Sequence, residues 1–167
     1  MLMAARDEGR APVRPVRGAR HTARVDARRW YDASCADVFA GWVDPVLVRR
    51  WLFATAARPF ARAVVEARRG GVLRLVAADG VAAVTGRVLD LVAPVRLRLA
   101  LDDGAQRTSV VAALQAAHGG TTLHVRHDGV APHRADWLDG RWTGMLYGLG
   151  EALDCDSHEI SHDLELR

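Results

Sequence analysis

The chain has 167 residues, half of them apolar, with a formal net charge of +3. That length sets one domain as the expectation, with a core large enough to need neither disulfides nor metal. No apolar run approaches the ~20 residues of a membrane span, and the first residues lack the apolar stretch of a secretory signal, so a cytoplasmic protein without membrane insertion is expected.

Residues 1–22 read as a disordered leader with Pro12, Pro15 and few hydrophobes. All 23 basic residues are arginine, and six stand in the first 24 positions beside only Asp7 and Glu8. Residues 25–167 therefore sum to −1, and no nucleic-acid-binding face is expected on the domain. The Ala and Arg richness without Lys resembles the coding bias of a GC-rich bacterial genome and carries no functional signal. Cys35 and Cys155 are far apart and form no C-x-x-C pair, which suits two free thiols in a reducing compartment.

Residues 23–33, ARVDARRWYDA, alternate as a strand, with Val25, Ala27, Arg29 and Tyr31 on one face. The period then changes. Ser34 is placed to cap a short helix carrying Val38, Phe39 and Trp42. Asp44-Pro45 restarts a second short helix, Asp as cap and Pro at its first position, with Leu47, Val48 and Trp51 on its apolar face.

After Pro59 the chain reads as strands punctuated by turns at Gly70-Gly71, Asp79-Gly80, Ala93-Pro94, Asp102-Asp103-Gly104 and Gly119-Gly120. In residues 95–101, Val95, Leu97, Leu99 and Leu101 face one way and Arg96 and Arg98 the other. In the last strand Leu123, Val125 and His127 share a face, with His124 opposite. Six or seven strands with short connections make a curved antiparallel sheet. One long C-terminal helix follows, with Leu138, Trp142, Met145, Leu146, Leu149 and Leu153 in a single stripe that can cover the sheet. Residues 155–167 read as an acidic tail. The fold class is α+β, and the domain is expected over residues 23–154.

These stretches resemble a known group. RWYDASCADVFAGWVDPVLVRRWLF (29–53) is similar to the opening of the START-like, or SRPBCC, superfamily, and more narrowly to the family named for activators of the heat-shock-protein-90 ATPase. The carrying residues are Asp32-Ala33, Val38-Phe39, Trp42, Asp44-Pro45 and Trp51-Leu52. GGVLRL (70–75), GRVLDLVAPVRLRL (86–99) and GGTTLHVRHDGV (119–130) fit in the same order. The chain departs with Ala54 where the family usually has Pro, and with Arg141-Trp142 where it usually has Gly-Trp. The resemblance implies a helix-grip, Bet v 1-like fold with an apolar cavity between the sheet and the last helix.

On that basis the expected function is binding of a small hydrophobic or amphipathic ligand, such as a lipid, by a carrier or sensor. Trp51, Phe53, Leu123, Val125, Trp142, Met145, Leu146 and Leu149 are the expected walls. His127, near the cavity mouth, is the polar contact, as a ligand-orienting group or as a hydrogen-bonded rim residue. Trp42 is expected mainly to pack. Two alternatives stand beside this reading: a regulator that binds a chaperone or other protein, and a polyketide cyclase or dehydratase-like enzyme. No catalytic residues are assigned, because there is no G-x-S-x-G and neither cysteine has an evident His and acid partner. No cofactor is implied. Cys155, His158 and His162 at a polar end, and His127, Asp128, His133 and Asp136 in and beside a loop, are too loosely arranged for a metal site. Gly140, Gly144 and Gly148 recur opposite the apolar stripe and offer a smooth face through which a homodimer could form.

Overall fold

A computed structural model of the chain describes residues 21–164, with side chains described as far as residue 154. The leader up to residue 20, and the side chains of Cys155, His158 and His162, lie outside the described residues.

Strand β1 (Ala23–Tyr31) has the expected parity: Val25 and Tyr31 are buried and Asp26, Arg28 and Trp30 exposed. Ser34 then caps α1 (Cys35–Val43), its Oγ accepting the Asp37 N–H at 3.1 Å. Asp44 serves both short helices. Its N–H donates to Ala40 O at the end of α1, and its side chain accepts the Val46 N–H at 2.8 Å to open α2 (Pro45–Trp51). Pro45 sits in the first turn, where a backbone N–H would have no helical partner in any case. The angle between α1 and α2 is thus set by one doubly used residue.

Six strands follow: β2 (Phe60–Val65), β3 (Val72–Ala77), β4 (Ala82–Val92), β5 (Arg96–Asp102), β6 (Arg107–Ala117) and β7 (Gly120–Val130). All neighbours are antiparallel, and the sheet order is β1-β7-β6-β5-β4-β3-β2. The first two strands of the chain are therefore its two edges, and α1 and α2 carry the backbone from one edge to the other. Register shifts in the β1–β7, β2–β3, β3–β4 and β4–β5 pairings are irregularities of the kind that bend a sheet.

A short 3-10 turn (Pro132–Arg134) leads into α3 (Ala135–Leu164). All six residues of its apolar stripe are buried, from Leu138 to Leu153. The Tyr31 hydroxyl donates to Leu146 O at 2.7 Å inside the core, which ties edge strand β1 to the middle of α3. Burial pushes the Tyr31 phenol pKa up. Gly41 lets α1 lie against α3, since a Cβ there would run into the Leu149 side chain. The backbone of α3 stays helical to Leu164, through residues that composition alone reads as a tail. After Gly150 it contains no glycine or proline to stop it.

Candidate functional site

Three tryptophans meet where α1, α2 and α3 converge on the sheet. Trp42 lies edge-on to Trp51, with centroids 4.7 Å apart, and stacks on Trp142 at 6.2 Å. None is more than 2% exposed. Trp51 Nε1–H donates to Gly41 O at 2.8 Å, so α2 is latched to α1 by its last residue. Trp42 Nε1, by contrast, is buried without a hydrogen-bond partner. An unsatisfied buried donor costs about 1–3 kcal/mol. Trp42→Phe is therefore expected to destabilise by roughly 1–2 kcal/mol less than Trp51→Phe, which discards a bond that is made. Urea unfolding of the two variants reads the difference, and equal losses would count against it.

Trp142 reaches deeper. Its Nε1–H donates to His127 Nδ1 at 3.0 Å, and His127 Nε2 lies 2.7 Å from Thr108 Oγ1. A nitrogen that accepts from an indole carries no proton, so the neutral ring holds its proton on Nε2 and donates to Thr108. His127 is 3% exposed. Burial lowers its pKa to about 4, with Asp103 and Asp128 opposing the shift and Arg134 adding to it. The sequence reading placed His127 near a cavity mouth. The structure sets it inside, because β7 continues to Val130 and α3 begins over its end.

Phe53 follows α2 with φ of +56°, a left-handed conformation that a bulky side chain rarely adopts. Two bonds from α3 hold it there. Its N–H donates to Met145 Sδ at 3.1 Å, and Arg141 Nη2 donates to Phe53 O at 2.9 Å. Its ring stands edge-on to Trp142, 6.0 Å between centroids. Phe53 thereby forms the partition between the closed tryptophan cluster and an open seam.

That seam runs between the first half of α3, the segment after α2, and the ends of β4 and the β5–β6 turn. It holds a cavity of about 280 Å³ walled by Phe53, Phe60, Val84 and Trp137, with Arg58, Arg134, Arg141 and Asp103 around it. A recess of about 40 Å³ adjoins it and reaches inward to Thr108 and His127. On the outer side of α3 a groove of about 860 Å³ passes Arg49, Arg50, Trp51 and Met145 and is floored by Gly140, Gly144 and Gly148. The groove and the cavity share Thr55, Phe60, Trp137 and Arg141. A Cβ on Gly140 or Gly144 would meet open space, whereas one on Gly148 would touch Trp51.

The seam is cationic. Arg134 Nη2 pairs with Asp103 Oδ2 at 2.9 Å. Partial burial opposes ionisation of Asp103, but hydrogen bonds from Gln106 N–H, Arg134 and Ala105 N–H prevail and hold it below the usual carboxylate range. The guanidiniums of Arg134 and Arg141 lie 5.3 and 5.4 Å from the Trp137 ring centre.

The family model of the Activator of Hsp90 ATPase homolog 1-like protein matches residues 32–154. The chain belongs to that family. No curated protein matches it. A Rhodobacter sphaeroides crystal structure is 28% identical, covers 79% of this chain and 93% of its own, and superposes with a TM-score of 0.66. The AHSA1-like protein from Aeromonas hydrophila, solved in solution, is 22% identical over 81% of this chain and 94% of that one, with a TM-score of 0.68. CalU16 from Micromonospora echinospora is 21% identical, covers 86% and 92%, and has a TM-score of 0.62. The last two bear on the fold alone. Membership in the family supports a domain of the ligand-binding or regulator type.

Within this member of the family the expected site residues divide three ways. Trp51 and Met145 border the outer groove, and Phe53 and His127 border the recess. Leu123, Val125, Trp142, Leu146 and Leu149 are all 2% exposed or less and border none of these spaces. Sequence reasoning missed Arg134, Trp137, Arg141, Phe60, Val84 and Thr108. One signal for Arg141 was visible: it stands where the family usually has glycine. The others lie on five different elements that only the fold brings together. Among the described residues no three His, Cys, Asp or Glu side chains gather as a metal site, and no helix is long and apolar enough to cross a membrane.

Proposed function

We propose that the chain binds a small hydrophobic or amphipathic ligand without a covalent step, in the seam between the start of α3 and the sheet. One observation carries the reading. Phe53 is held in a left-handed conformation by two bonds from α3, and its ring walls a cavity of about 280 Å³ beside a buried neutral histidine. Residues in such conformations gather at ligand sites, where the surrounding structure maintains them. Phe53 and His127 are the contacts retained from the sequence reading, while Trp51 and Met145 border the outer groove. Phe53 and the neighbouring aromatic rings supply desolvation, and the Thr108 hydroxyl, which accepts from His127 and keeps its own O–H to donate, supplies a polar end at the bottom of the recess.

Native mass spectrometry of the protein purified from its own host, with gentle activation, tests this. A discrete co-purifying small molecule is the expected result, and its structure would name the chemistry of a carrier or sensor. A mass that stays empty through a panel of lipids and aromatic compounds would sink the reading and turn the search to the partner protein that a regulator would need. The same spectrum distinguishes monomer from dimer.

A further inference from the structure

Among the described residues four buried side-chain nitrogens have no hydrogen-bond partner, and two of them, Arg134 Nη1 and Arg141 Nε, belong to residues bordering the same cavity. A guanidinium has five N–H donors and no acceptor, and leaving one buried and unpaired is unfavourable. Each of these arginines has one end anchored: Arg134 Nη2 on Asp103 Oδ2, and Arg141 Nη2 on Phe53 O, both at 2.9 Å. Both guanidiniums lie beside Trp137, 5.3 and 5.4 Å from its ring centre. Arg58 adds a third positive charge at the rim, against the single carboxylate of Asp103. That carboxylate already accepts from Ala105, Gln106 and Arg134. The cavity is left with an excess of two positive charges beside Phe53, Phe60, Val84 and Trp137.

We propose that this cavity is a carboxylate site, in which Arg134 and Arg141 hold the anionic head of a small monocarboxylate and the aromatic walls hold its apolar body. This rests on the ligand-binding reading above and narrows it. A carboxylate is planar and accepts two parallel N–H bonds, which matches a guanidinium fork better than any neutral head group does. The volume admits a bicyclic aromatic or short acyl body and excludes a long-chain lipid lying wholly inside.

Isothermal calorimetry with 2-naphthoate and its amide, 2-naphthamide, tests the proposal, since the two share size and rings and differ in charge. The acid should bind at least roughly tenfold more tightly than the amide, and added salt should weaken the acid selectively. The variant Arg134→Gln, which leaves the Arg141 bond to Phe53 in place, should lower the acid-to-amide preference several-fold while still binding the amide. Should it fail to fold, as circular dichroism would show, the acid-to-amide ratio in the native protein and its salt dependence decide the matter alone. Equal binding of acid and amide overturns the carboxylate site and leaves ligand binding standing. No binding of 2-naphthoate or of octanoate overturns it too. Whether the ligand reading falls as well is then decided by the co-purified mass, which does not depend on the charge of any chosen probe.

Discussion

Trp142→Ala should lower the free energy of unfolding by about 3–5 kcal/mol, among the largest losses any single truncation in this chain can cause. Trp142 is fully buried and touches three aromatic partners: it stacks on Trp42, and meets Phe53 and His127 edge-on. The cluster is built from α1, α2, α3 and β7, so its neighbours are held by separate elements and cannot collapse together into the space left behind. The substitution also strips His127 Nδ1 of its donor. Trp142→Phe keeps most of the apolar area and loses the hydrogen bond, so it should cost less, about 1–3 kcal/mol. Urea denaturation measures both. A loss below ~1 kcal/mol for Trp142→Ala would mean that the three helices repack freely, and that the aromatic cluster does not organise this end of the fold.

The second large effect is on acid stability. The His127 pKa is about 4 in the folded protein, against an ordinary 6.5. Between those values the unfolded chain binds a proton that the folded chain refuses, so stability must fall as pH falls through that window. The contribution is fully present above pH ~6.5 and reaches its full loss, on the order of 3 kcal/mol, below pH ~4. The structural cause is direct. Protonating Nδ1 would place two donors face to face, because Trp142 Nε1–H already points at it. His127→Asn, whose amide oxygen can accept from Trp142, should be nearly flat from pH 7 to about 4.5 where the native protein declines. Asp103 and Asp128 are also held below the usual carboxylate range, and they begin to lose their own contributions at the bottom of the window in both proteins. The difference between the two pH profiles therefore isolates the histidine. Parallel profiles would mean that His127 titrates normally and that its enclosure opens readily to water.

Much of the fold was legible because the two periodicities are clean. Leu97, Leu99 and Leu101 alternate inward along β5, and Leu123, Val125 and His127 along β7. The period-3.6 stripe of α3 is buried along its whole expected length. Ser34 and Asp44 make the caps that their positions announce. Less of the site could be read. Leu146 and Leu149 lie on the predicted face, but a stripe says which way residues point and not whether the opposing surface touches them or stands off. Here both are buried, with no more than 2% of either exposed. The cationic seam left almost no local trace, since Arg58, Arg134 and Arg141 look like three ordinary arginines in a chain with 23.

By itself, then, the sequence determined the order and type of the elements, their inward faces, their caps and the kinship of the whole. These follow from interactions within a few residues, where pattern and propensity suffice. Tertiary structure alone decided where space remains. It buried Leu123, Val125, Trp142, Leu146 and Leu149, put His127 inside on a bond to Trp142, and gathered Phe53, Phe60, Val84, Trp137 and three arginines around an open seam. Those contacts join residues up to 88 positions apart, as Arg141 and Phe53 are. Their geometry depends on the curvature of the sheet and the angle at which α3 crosses it, which no short window of sequence encodes.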